Sequence, residues 1–171
     1  TFKRLHLNIR TEQAFRLIQL PKWDACSGAV EIPDGADVYA GLDLASIEDM
    51  AALVVCYRDY DATFHLKPWF WCPEAKVREL AASGKGHYSQ WVREGLLTAT
   101  PGPRIDYAWI RKAINDVAQQ YNILEIAFDP WNASTLAAQL MDEDGVPMVE
   151  HRQGTVSMNE PMKQFIALML G

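Results

Sequence analysis

Cysteine is scarce in this 171-residue sequence: there are three, Cys26, Cys56 and Cys72, in no C-x-x-C spacing. An odd, unpaired set argues against a disulfide framework or a zinc knuckle and suits a reducing compartment. Nowhere does an apolar run approach the roughly 20 residues that a membrane span requires. No signal peptide is visible either, so the expectation is a soluble protein inside the cell. Positive charge is in deficit, with 16 basic against 22 acidic residues and a formal net charge of -6. That excludes a protein that coats nucleic acid with a broad basic face. It leaves room for an enzyme that grips DNA locally and offsets an acidic site with cations. A phosphate loop is also missing. Ser83-Gly84-Lys85-Gly86 contains the Gly-Lys pair, but a P-loop needs glycine at position 79 and serine or threonine at position 86. Glu79 and Gly86 stand there, so no nucleotide site is expected.

What is present is one good core's worth of apolar residues, 49% of the chain with 11% aromatics, in a length that suits a single domain. Residues 1–35 read as a lead-in arm, with a short strand over 5–9, a short helix over 12–18, and Trp23 and Cys26 packing the arm down. Two stretches follow, Asp37 to Ser46 and Asp49 to Tyr57, in which an apolar run, a short polar turn and a second apolar run read as a pair of antiparallel strands. Thr63 to Trp71 reads as a third strand, with Pro68 pointing to an edge position. Glu74 to Ala82 and His87 to Glu94 are helical, and Leu96 to Ala99 is a short strand. The next helix is the best signalled: Asp106 is the N-cap, and Tyr107, Ile110, Ile114, Val117, Ala118 and Tyr121 form one apolar face. Ile123 to Phe128 is a buried strand. Asp129-Pro130 then starts a helix whose Leu136, Leu140 and Met141 face the core before Gly145 stops it. Val146 to Glu150 is a last strand, and Ser157 with Glu160 makes a capping box for a final helix, Met158 to Leu170. Three antiparallel strands followed by α/β crossovers predict a ribonuclease H-like α/β fold, a mixed sheet flanked by helices.

Asp43 is the anomaly in this pattern. It follows Leu42 near the end of the first strand, where alternation can aim it at the core or at a cleft, and a buried carboxylate must be paired or bind a cation. Asp129 ends the Ile123–Phe128 strand in the same way. Two strand-end aspartates on one sheet suit a divalent-metal site. Each also has a structural reading, Asp43 as a turn cap and Asp129 as the N-cap of the helix that follows. Asp49 can assist through a water or cap the second strand. His151 and Arg152 follow a strand on the same edge as Asp129, where phosphate contact and structural hydrogen bonding are both open. Lys163 is a DNA-contact candidate or a solvated helix lysine. Asp142, Glu143 and Asp144 read as a surface run, and the six tryptophans as core and edge packing ahead of base stacking.

Four segments carry a family likeness. Tyr39-Ala40-Gly41-Leu42-Asp43-Leu44-Ala45-Ser46, Leu97-Thr98-Ala99-Thr100-Pro101-Gly102, Phe128-Asp129-Pro130-Trp131-Asn132, and Arg152-Gln153-Gly154 with Ser157-Met158-Asn159-Glu160-Pro161-Met162-Lys163 occur in that order. Together they resemble the nuclease domain of the large terminase subunit of tailed bacteriophages, over nearly the whole chain. The resemblance implies a ribonuclease H-like endonuclease that cuts concatemeric double-stranded viral DNA. Its partners would be a fused packaging ATPase domain, a small terminase subunit and a portal, all in the cytoplasm of a bacterial host. It implies Asp43 and Asp129 as metal-binding carboxylates, and residues 36–171 as a nuclease domain lacking its C-terminal part. The family places a third carboxylate on a helix nearer its C-terminus, and the sequence ends at Gly171 without that helix. The same core fold occurs in resolvases and transposases, and a non-catalytic docking module of the motor could retain it.

The chemistry accounts for the residue types. Phosphodiester hydrolysis builds charge on the attacking water and on the leaving oxygen, and two divalent ions roughly 4 Å apart offset both. Magnesium and manganese take carboxylate oxygens, and a strand end holds an aspartate firmly. Two carboxylates sharing ions also repel each other when metal-free, which is expected to raise the pKa of at least one.

Overall fold

The structure is a computed structural model that describes residues 17–44, 49–84 and 86–170, with the side chains of Asn132 and Ser134 left aside. The chain divides into two compact units. One is Val30–Gly154, and the other combines Thr1–Ala29 with Thr155–Gly171.

The larger unit is built on β1 (Asp37–Asp43), β2 (Ala51–Arg58) and β3 (Phe64–Pro73), then α2 (Glu74–Ala82), α3 (His87–Arg93), β4 (Thr98–Thr100), α4 (Tyr107–Gln120), β5 (Asn122–Phe128), α5 (Pro130–Asp142) and β6 (Met148–Glu150). Its six strands form one sheet in the order β4-β3-β2-β1-β5-β6. The β1-β2 and β2-β3 pairs are antiparallel, and the β1-β5, β3-β4 and β5-β6 pairs are parallel. Parallel neighbours require crossovers, which α2 with α3, α4 and α5 supply. This is the α/β arrangement expected from the sequence.

Alternation decides which face each strand residue serves. Val38, Ala40 and Leu42 of β1 are buried and interleave with exposed Asp37, Tyr39, Gly41 and Asp43. The inward set packs with Leu53, Val55, Trp71, Ile126 and Phe128 against Ile110, Ile114 and Val117 of α4 and Leu136 and Leu140 of α5. Cys72, one residue past Trp71, turns the other way and packs with Val77 and Leu97 in a smaller cluster beneath α2 and α3. Pro68 pairs with Val54 on one side, and β4 reaches only Trp71 to Pro73 on the other, so the proline does sit on an open edge. The Asp106 carboxylate caps α4 by accepting from the Ala108 N–H at 2.9 Å. Gly145 follows α5 with a φ of 70°, a conformation that glycine adopts freely.

Some expectations fail for geometric reasons. Met141 is 48% exposed, because it lies one step, about 100°, round the helix from fully buried Leu140. Ala118 likewise faces solvent. Arg111 of α4 draws the acidic run at the end of α5 into ion pairs, through Nε and Nη2 to Asp144 at 2.6 and 2.7 Å and through Nη2 to Glu143 at 2.7 Å. Asp142 and Glu143 are exposed, as a surface run should be, and Glu143 and Asp144 in addition tie the two helices together.

In the smaller unit, α1 (Leu20–Ala25) and α6 (Thr155–Leu170) are in contact. Lys22 Nζ donates to the Leu170 carbonyl at 3.0 Å, and Cys26 Sγ lies 3.8 Å from Met169 Sδ. Trp23 is not packed down as expected but stays 55% exposed. The strand over 5–9 lies outside the described residues, as does most of the helix over 12–18; Leu17 and Ile18 are not helical. The final helix takes in Thr155 and Val156, which leaves Ser157 too far inside to cap it. Glu160 instead accepts from Gln164 at 3.4 Å and lies 4.0 Å from Lys163.

Candidate metal centre at the strand ends

β1 and β5 are parallel neighbours, with Leu42 opposite Phe128. Asp43 and Asp129 are the next residues, so the two acids stand side by side at one end of the sheet, at a strand spacing of about 5 Å. Leu42 and Phe128 both point into the core at 3% and 6% exposure. The aspartate after each, in extended backbone, turns to the opposite face. Asp43 is thus exposed rather than buried, because Leu42 occupies the inward position.

The two carboxylates are held differently. Asp129 is the N-cap of α5: Oδ1 accepts from the Trp131 N–H at 3.0 Å, and Oδ2 accepts from the Gln153 N–H at 2.9 Å. The second bond comes from the chain just past β6, which the His151 N–H ties to the Phe128 carbonyl at 2.7 Å. The N–H groups of Trp131 and then Gln153 depress the Asp129 pKa, and the charges of Arg152 and His151 add to that effect. The shift at Asp129 is thus downward, not the upward one expected from carboxylate repulsion, because hydrogen bonds to the charged form outweigh the desolvation that opposes them. No hydrogen bond to Asp43 is found among the described residues.

The other sequence candidates separate. Arg152 lies near enough to Asp129 to stabilise its charge. Asp49 accepts from the Met50 N–H at 2.9 Å, at the start of β2, and its charge bears on Cys72 of β3. Lys163 belongs to α6 in the other unit, where it is exposed beside Glu160. Among the described residues no group of three or more His, Cys, Asp or Glu side chains forms a metal cluster. An open depression of about 810 Å3 lined by Asp34, Asp116, Gln120 and Asn122 lies at the starts of β1 and β5, the opposite end of these strands.

Sequence reasoning did not find the Gln153 contact, which is made by backbone and leaves no side-chain signal. It also misjudged Trp131, a residue that is 87% exposed rather than packed.

A mixed sheet in this strand order, with paired acids at the ends of β1 and β5, can be compared with known proteins. The family model described as terminase large subunit, endonuclease domain, matches residues 1–170. The chain belongs to that family. It is 32% identical over 174 residues to the large terminase subunit of Enterobacteria phage HK97, which covers 99% of this chain and 34% of that protein. Protein YmfN of Escherichia coli K12 is 31% identical over 180 residues, covering 97% of this chain and 39% of that protein. The crystal structure of the HK97 large terminase matches with a TM-score of 0.80 and 32% identity, over 99% of this chain and 35% of that one. The fold is that of a terminase nuclease domain, and the chain spans little more than a third of the length of these relatives. No described helix is long and apolar enough to cross a membrane.

Proposed function

We propose that this chain is a metal-dependent endonuclease domain that cuts concatemeric double-stranded DNA during viral genome packaging, with Asp43 and Asp129 holding two magnesium or manganese ions. The observation that carries this reading is the Leu42–Phe128 register, which sets two aspartates abreast on one face of the sheet. Their donor chemistry fits. Both are hard oxygen ligands, and the N–H bonds found among the described residues, one to each Asp129 oxygen, leave lone pairs for a cation. Divalent ions at such a site lower the pKa of bound water and offset charge on the leaving oxygen.

The protein's own residues prepare that chemistry. The N–H groups of Trp131 and Gln153 keep Asp129 ionised and fix its direction. Arg152 brings positive charge to the same edge, suited to a phosphate oxygen; Lys163 is a second DNA contact in the whole protein. The arm over residues 1–35 would lead from an ATPase domain, and the working protein would meet a small terminase subunit and a portal in the host cytoplasm.

Plasmid cleavage by the whole protein in magnesium or manganese tests this. Asp43→Asn and Asp129→Asn should each abolish cutting, as should EDTA. Unimpaired cutting by both variants would refute the assignment.

A further inference from the structure

We propose that Trp131 is a DNA contact of this site, its indole packing on a nucleobase face exposed at the step being cut. The proposal rests on the endonuclease reading above. Of the six tryptophans, Trp131 is the most exposed at 87%, against 55% for Trp23, 44% for Trp109 and 3% for Trp71. Trp69 and Trp91 pack against the two core clusters.

Among the described residues nothing hydrogen-bonds to its side chain or stacks on it. The cap of α5 requires only the Trp131 N–H, 3.0 Å from Asp129 Oδ1, and most residues supply that group. An exposed position in a helix favours alanine over tryptophan on propensity alone. The indole here gives up the burial that makes tryptophan valuable in a core.

Its place in the chain gives it a target. Trp131 is the second residue of α5 and two residues from Asp129. Helical side chains lean toward the N-terminus of their helix. From the first turn of α5, that direction runs toward the strand-end edge bearing Asp129 and Arg152. A planar aromatic face there can stack on any base, whatever the sequence. Short-range contacts of this kind matter more in a chain of net charge -6, which exerts no long-range pull on a polyanion.

The test uses the whole protein and a linear duplex, measuring KM and kcat for Trp131→Ala, Trp131→Leu and Trp131→Phe beside Asp129→Asn. Loss of stacking should raise KM roughly 5- to 150-fold in the alanine and leucine variants. kcat should change little, because the contact is present before and during the reaction. The phenylalanine variant should recover most of the affinity, and melting temperatures should stay level. The leucine variant keeps the test valid should the alanine protein misfold. Unaltered KM in these variants, with Asp129→Asn inactive, overturns the Trp131 contact and leaves the endonuclease reading standing. An active Asp129→Asn overturns that reading and the contact with it.

Discussion

Leu42 of β1 and Phe128 of β5 are register partners, and each is followed by an aspartate that turns away from the core. The two acids differ in what they do for the fold. Asp129 holds two backbone N–H groups, one at the start of α5 and one just past β6. Asp43 has no hydrogen-bond partner among the described residues. We therefore expect Asp43→Asn to leave the metal-free melting temperature unchanged or slightly higher, because it removes charge from an acidic edge. Asp129→Asn should lower it, since an amide has one accepting oxygen where the carboxylate had two. Thermal melts in EDTA check this, and equal shifts for the two variants would contradict it.

Thr100 is wholly buried, and its hydroxyl has no hydrogen-bond partner among the described residues. A buried unpaired polar group carries its desolvation cost without return. Thr100→Val keeps the shape and removes that group, so stability should rise by about 1 kcal/mol. Urea unfolding would measure it as a higher midpoint at an unchanged slope. A lower midpoint would mean that the hydroxyl has a partner after all.

The tie between Arg111 and the end of α5 should titrate. Hydrogen bonds from Arg111 hold the Asp144 carboxyl below its ordinary range. A depressed folded pKa gives stability that is complete above the unfolded value, about 3.9. It is lost as the pH falls through the folded value. Arg111→Met should therefore melt earlier than the unaltered protein at pH 7, and the gap should close as the pH drops below about 4. A gap that stays constant down to pH 3 would show that the loss comes from packing rather than from the ion pair.

The sheet was legible in the sequence because its signals are local. A short apolar run closed by a polar turn marked β1, and the 3.6-residue apolar face of α4 brought Ile110, Ile114 and Val117 to the core. The aspartate pair was legible as two strand ends, but the face they occupy was not. Only the burial of Leu42 and Phe128 settles that Asp43 lies outside. The same limit applies to Gln153, whose contribution is a backbone N–H delivered by the path of the chain after β6. The final helix was misjudged at its start because Ser157 and Glu160 have capping spacing, while the chain is helical from Thr155. Composition could not place Trp131 on the surface, since tryptophan is usually packed and here it is not.

Manganese titration of this chain, followed by the loss of the free-ion paramagnetic resonance signal, tests the central claim most directly. The account predicts binding at near-neutral pH that weakens by about tenfold or more in Asp43→Asn and in Asp129→Asn alike, because each would remove a charged oxygen ligand from one shared site. Manganese bound with unchanged affinity by both variants would contradict it.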